Sequence, residues 1–185
     1  MTLCYGSACL LVLLGAVTVF GSPVHYVLDN VTQTHDSIAN VLELKEPKIG
    51  KSHLFTPVIS SISTSCQRKE QIQLTKATLD IYSHIFTSIL QHEHQDNTPT
   101  VLDQLTEPSR AQVESDLTKL QQDMENLKSR LNQVHHQNPN YEEVLKELNR
   151  IKVDDPVNQK KALAQFKEVY QAASVVAFRG CGTHR

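Results

Sequence analysis

The feature that most constrains this chain is the absence of glycine between Lys51 and Arg179. Prolines in that stretch fall between segments of helical apolar spacing, at positions 57, 99, 108, 139 and 156. A β-sandwich would need turn residues about every 8–12 positions, and such residues are missing. The distribution therefore predicts helices separated by short connections, and an all-α fold.

Two long segments carry the clearest helical periodicity. Residues 109–135 have an apolar residue every three or four positions, a narrow stripe typical of a bundle helix or of one coiled-coil strand. We favour the bundle, because the pattern is not sustained elsewhere in register. Residues 66–91 form the second, and its face broadens over positions 79–90, so it should be the most buried element. The stripe of the first comprises Val113, Leu117, Leu120, Met124, Leu127, Leu131 and Val134.

Four further helices complete the prediction. One covers about residues 27–44, and a connection over 45–56 leads to a short helix at 57–63. Asn138-Pro139 and Asp155-Pro156 each combine a capping side chain with proline at the first helical position, so a helix should follow each pair. The last helix should end before Gly180. Ser109 with Gln112 predicts a capping box at the start of the long helix there.

The N-terminus predicts export. Residues 1–22 contain no charged residue, and an apolar run from Leu10 to Phe20 is followed by Gly21 and Ser22. A membrane anchor would need about 20 apolar residues, so a cleaved signal peptide is the better interpretation. We expect a secreted, extracellular protein with no membrane insertion. Residues 23–178 would form one helical domain and residues 179–185 a short tail.

Two cysteines and one sequon bear on the exported chain. Cys4 and Cys9 leave with the signal peptide, whereas Cys66 and Cys181 remain. These two could form an intrachain disulfide, bridge two chains or stay as thiols; we favour a bridge. The sequon Asn30-Val31-Thr32 predicts a glycan on Asn30, which would then face solvent.

Catalytic and metal-binding motifs are not found. The histidines cluster at His92, His94, His135 and His136, where helices should end, but their spacing does not match a helical zinc site. No phosphate loop, nucleophile elbow or dinucleotide fingerprint occurs. The net charge is −2, and the sequence contains no cluster of basic residues of the kind that binds nucleic acid. We therefore expect a binding protein rather than an enzyme, without metal or cofactor.

Three stretches resemble one known family. They are Ile49–Phe55, with its glycine and Leu-Phe pair, Cys66–Ile72 at the start of an apolar helix, and Asn158–Phe166. The last resembles the Val-Gln-Arg-Lys-Ala-Ile-x-Glu-Leu motif of the interferon gamma family. Its departures from that motif include Asn158, Lys160, Gln165 and Phe166. Residues 169–174 look most like fish members.

The resemblance implies a fold and a partner. It implies a six-helix cytokine of the four-helical, interferon or interleukin-ten type, forming an intertwined homodimer in which each last helix packs on the partner's long third helix. Such a cytokine would bind a class II cytokine receptor, of the interferon gamma receptor type, and trigger antiviral, macrophage-activating signalling. By motif match, the implied receptor contacts are Gly50, Lys51, Ser52, His53, Leu54 and Phe55.

One departure and two alternatives accompany this interpretation. The chain ends without the Lys/Arg-rich run usual in the family, as in the interferon-gamma-related paralogues of fish. An interleukin-ten type cytokine is the nearest alternative, but such proteins usually carry two or more disulfides and this chain can form only one. A secreted lipid-binding protein with amphipathic helices is the other, although it would need a wider, basic-bordered apolar face.

Overall fold

The computed structural model describes residues 28–46, 49, 53–91, 99–131 and 142–178. Within those ranges the chain forms six α-helices and one 3₁₀ helix at Val101–Gln104, and no strand. The predicted all-α, six-helix fold is confirmed. The signal peptide at 1–22 and the tail at 179–185 lie outside the described residues. The helices are α1 (Asp29–Val41), α2 (Thr56–Thr64), α3 (Arg68–Leu90), α4 (Ser109–Leu131), α5 (Glu142–Asn149) and α6 (Pro156–Phe178).

The starts of two helices can be compared with the predicted caps, and one of the two caps is present. Asp155 caps α6 as expected, since its carboxylate accepts a hydrogen bond from the Val157 amide at 2.7 Å. The box predicted at Ser109 is replaced by a different arrangement: Ser109 is the first residue of α4, and the Gln112 side chain donates to Asp116 at 2.8 Å.

The 3₁₀ helix was not predicted, because it carries too few residues for periodicity to detect. A capping box closes it. The Thr100 amide donates to Asp103 Oδ2 at 2.6 Å, and the Leu102 amide donates to Thr100 Oγ1 at 3.3 Å. The Thr-x-x-Asp spacing of such a box was present in the sequence.

Helix α3 lies at the centre and runs antiparallel to both α4 and α6. Lys128 of α4 pairs with Asp80 at 2.6 Å, whereas Glu125 accepts from Ser83, further along α3. On the other side, the Tyr82 hydroxyl donates to the Ala162 carbonyl at 2.9 Å. Burial raises the pKa of Tyr82 well above its ordinary value, so the hydroxyl keeps the proton that it donates.

Both predicted apolar faces are buried. The α4 stripe from Val113 to Leu131 is covered, so it is not available as a lipid-facing surface in the folded chain. Tyr82 and Phe86 on the wide face of α3 belong to an aromatic cluster. The other rings in this cluster are those of Phe55, Phe166 and Tyr170. The structure covers this circumference with α6 of the same chain. The apolar surface of α3 therefore does not by itself require a second copy.

A histidine joins α1 to α6 inside the core. The Nε2 of His35 lies 2.8 Å from the Leu163 carbonyl, so the neutral ring donates from that nitrogen. Its Nδ1 is buried without a hydrogen bond, 3.6 Å from Asp36 Oδ1. Lys167 on α6 pairs with the same Asp36 oxygen at 2.7 Å. Desolvation lowers the pKa of His35, and the Lys167 charge acts in the same direction, whereas the Leu163 hydrogen bond and Asp36 oppose the shift.

This histidine should make the fold sensitive to mild acid. Because its pKa is lowered on folding, the unfolded chain binds the proton first as the pH falls. Stability should therefore be complete above the unfolded pKa of about 6.5 and decline as the pH falls from there through the folded pKa. Denaturant titrations at several pH values between 7.5 and 5 should show that decline. His35→Gln, which keeps a donor for Leu163, should flatten the profile; an unchanged profile would contradict the assignment.

Candidate functional site

The six residues implied as receptor contacts divide into two groups. Gly50, Lys51 and Ser52 lie outside the described residues. Of the others, His53 is exposed, Leu54 is partly buried against the core and Phe55 is 0% exposed. The Phe55 ring stacks on Tyr82 with centroids 4.6 Å apart. Phe55 therefore anchors the segment from inside, and the surface offered to a partner is formed by its neighbours.

A buried glutamine fixes this segment to the last helix. The Phe55 amide donates to Gln165 Oε1 at 3.0 Å, and Gln165 Nε2 donates to Thr56 Oγ1 at 3.4 Å. Because Phe55 precedes the first turn of α2, its amide needs a partner beyond the helix. Gln165 supplies it from 110 residues away in sequence. His53 and Leu54 are consequently held at a defined place on the surface.

A shallow groove opens beside Leu54, between α2 and α5. Its volume is about 340 Å³, and it is lined by Leu54, Pro57, Val58, Glu143, Val144, Glu147 and Leu148. The floor is apolar, whereas Glu143 and Glu147 are exposed at the edge. Arg150 donates to Glu147 in an exposed ion pair. An apolar floor with a charged edge has the composition of a protein-binding surface.

The remaining predicted sites are located as follows. Asn30 lies exposed in the first turn of α1, where a glycan would reach solvent. Cys66 is an exposed, free thiol in the connection between α2 and α3. Cys181 lies outside the described residues, as do His92, His94, His135 and His136. Across the described ranges, no group of three or more metal-ligating side chains occurs.

None of the helices in the described part of the chain combines the length and the apolar character needed to cross a bilayer.

Comparison with known proteins gives one informative similarity. Interferon gamma 1 of goldfish (Carassius auratus) is 29% identical to this chain over 151 residues, covering 81% of the chain and 74% of the goldfish protein. The chain is therefore similar to a fish interferon gamma over most of its length. No family model matches the chain, and no solved structure matches it significantly. The match extends well beyond the three stretches that first suggested the family.

The stretch of the last helix that resembles the interferon gamma motif, Asn158–Phe166, contributes mainly buried side chains to the core. Gln159, Ala162, Leu163 and Phe166 face the core, while Lys160 and Lys161 are only half-buried. Gln159 Oε1 accepts from the Val101 amide, and its Nε2 donates to Ser88 Oγ and to the Val153 carbonyl. The buried residues of this stretch therefore pack α6 against its neighbours.

Sequence reasoning missed the two glutamines that organise this region. Gln159 lies three and four positions before Ala162 and Leu163, so helical spacing places it on the buried face. Gln165 lies three positions after Ala162 and four before Val169, so the same spacing places it on a buried face. A polar residue on an otherwise apolar face is the signal that could have identified both, although it could not have identified their partners.

Proposed function

We propose that this chain is a secreted cytokine of the interferon gamma type, which binds a class II cytokine receptor and triggers antiviral and macrophage-activating signalling. The observation that carries the proposal is the similarity to goldfish interferon gamma 1 over 81% of the chain. The six-helix fold and the signal-like residues 1–22 support it. We also propose a homodimer, as the family resemblance implies.

The receptor surface in this proposal is built around His53 and Leu54. His53 is exposed and precedes Leu54 in the sequence, and Leu54 lines the groove between α2 and α5. Phe55 and Gln165 hold this wall in place from the core. A receptor segment with an apolar side chain flanked by basic residues would match the apolar floor and the carboxylates of Glu143 and Glu147.

A matched pair of substitutions tests this surface. His53→Glu places a carboxylate next to Leu54 in the sequence, and a receptor that covers this part of the surface would have to desolvate an unpaired negative charge. We expect its affinity for a class II cytokine receptor ectodomain to fall by at least about tenfold, roughly 1.4 kcal/mol. His84→Glu, at an exposed histidine on α3, should change the affinity less than about twofold.

The measurement is surface plasmon resonance with the secreted mature chain, after sizing by light scattering to report whether two chains associate. Far-UV circular dichroism should show that both variants fold. Equal losses for the two variants would remove the groove edge from the interface. Failure of the wild-type chain to bind any class II receptor ectodomain, or to activate cells carrying such receptors, would overturn the proposed function itself.

A further inference from the structure

One face of α6 points away from the core. Phe166 on the opposite face is buried, Gln165 is bonded to the segment that precedes α2, and Lys167 pairs with α1. Successive residues of an α-helix are turned by about 100°, so Gln165 and Lys167 point to opposite sides of α6. Glu168 lies between them, away from Phe166, and its side chain is exposed. The outward face of α6 therefore lies between α1 and α2.

Four residues mark this outward face, at steps of three and four positions. They are Val157, Lys160, Ala164 and Glu168. Val157 is 59% exposed, which is unusual for an apolar side chain on a well-packed helix, and Ala164 is only partly buried. Within the described ranges, neither Lys160 nor Glu168 forms an ion pair. The face thus offers an apolar side chain, a small residue and one charge of each sign.

The two charges are placed symmetrically about Ala164. Each lies four residues from it, or about 6 Å along the helix axis. Lys160 and Glu168 are eight residues apart, too far to pair with each other on one helix. If two copies of α6 cross antiparallel at Ala164, each Lys160 lies opposite the Glu168 of the other copy. A parallel crossing would instead bring like charges together, so the charges select the antiparallel one.

A groove beside this face provides a place for Val157. The groove lies between α2 and α6, has a volume of about 410 Å³, and includes Ile59, Ile62, Ala172 and Val175 in its lining. Val157 precedes Ala164 by seven residues. In the antiparallel crossing it therefore lies opposite the position seven residues after Ala164 of the other copy, beside Ala172 and Val175. A two-fold axis makes the same contact occur twice.

We propose that the outward face of α6 docks against the same face of a second copy of this chain, with a two-fold axis near Ala164. The inference rests on the proposed homodimer and names its contact surface. Each α6 stays on its own α3, in contrast to the intertwined dimer that the family resemblance implies. The contact does not use the groove between α2 and α5 that contains Leu54.

Charge reversal tests this surface, with the dissociation constant (Kd) of the mature dimer measured by sedimentation equilibrium. Lys160→Glu and Glu168→Lys should each raise Kd by at least about tenfold, because symmetry creates two like-charge contacts. The double variant restores opposite charges and should return Kd to within about threefold of the wild-type value. Gln122→Glu, at an exposed position on α4, should change Kd by less than about twofold.

Val157→Asp tests the docking of Val157 in the groove. A carboxylate would not replace the apolar contact, so Kd should again rise by at least about tenfold. Val157 is the second residue of α6, where an acidic side chain suits the helix dipole. The fold should therefore persist, and far-UV circular dichroism of every variant checks it. A Kd equal to that of the wild type would overturn the docking of Val157.

The results also separate this contact from the proposals on which it rests. A wild-type dimer whose Kd is unaffected by charge reversal, or is not restored in the double variant, would overturn the α6 contact and leave the homodimer standing. A wild-type chain that is monomeric at every concentration would overturn both. Receptor binding is measured separately, so neither result decides whether the chain is a cytokine.

Discussion

Replacing Phe166 with alanine should lower the free energy of unfolding by about 3–5 kcal/mol, the usual cost of removing a large aromatic side chain from a core. Phe166 is 1% exposed. Its ring lies 5.7 Å from each of the Tyr82, Phe86 and Tyr170 rings, and it stacks on His35 at 6.2 Å. Truncation would leave a cavity where α1, α3 and α6 meet, and the surrounding rings could refill it only in part.

The same helix offers a matched control. Phe178 is 48% exposed and its ring lies 5.0 Å from the Arg130 guanidinium, so Phe178→Ala should lower the free energy of unfolding by less than about 1 kcal/mol. Urea denaturation followed by circular dichroism measures both variants. All samples need the same protein concentration, because association would make the midpoint depend on it. Similar losses for the two variants would contradict the central position given to Phe166.

Replacing Gln159 with leucine should lower the free energy of unfolding by about 2–5 kcal/mol. A loss is expected even though the side chain is 0% exposed and an apolar residue would ordinarily suit a buried position. Gln159 accepts from the buried Val101 amide at 3.2 Å and donates to the Val153 carbonyl at 3.1 Å. Leucine would fill much of the volume but leave both backbone groups without partners. An unmade hydrogen bond at a buried group costs about 1–3 kcal/mol. Helix α6 would also lose its hydrogen bond to the 3₁₀ helix.

Gln171→Leu is the control for this prediction. Gln171 lies on α6 as well, but its side chain is exposed, so the change should stay within about 0.5 kcal/mol. The denaturant midpoints of the two variants, compared with that of the wild type, measure the two losses of stability. If Gln159→Leu were as stable as Gln171→Leu, the hydrogen bonds of Gln159 would contribute nothing to the fold.

Periodicity predicted much of the fold. Every member of the α4 stripe within the described residues is buried, from Val113 to Leu131. The broad face of α3 around Tyr82 and Phe86 is the centre of the core. Asp155-Pro156 gave the start of α6 correctly. These features are local, because spacing, caps and prolines act within one or two helical turns.

The rest depended on contacts between distant residues. His35 pairs with Leu163 across 128 positions, and Phe55 pairs with Gln165 across 110. Nothing near Phe55 in the sequence shows that its ring turns inward while His53 stays exposed. The sequence could therefore name the segment, but it could not separate its exposed side chains from Phe55, which anchors them in the core. The role of this segment in receptor binding stays a prediction.

The position of α6 has a consequence for synthesis. This helix supplies Phe166, Gln159 and Gln165, which complete the core around α3 and bind the start of α2, yet it is synthesised after all the other described helices. At a synthesis rate of about 5–20 residues per second, several seconds pass between the completion of α3 and that of α6. The apolar face of α3 stays exposed during that time. Chaperones should be able to bind the nascent chain throughout that interval. A chain truncated before residue 156 should be unable to complete its hydrophobic core.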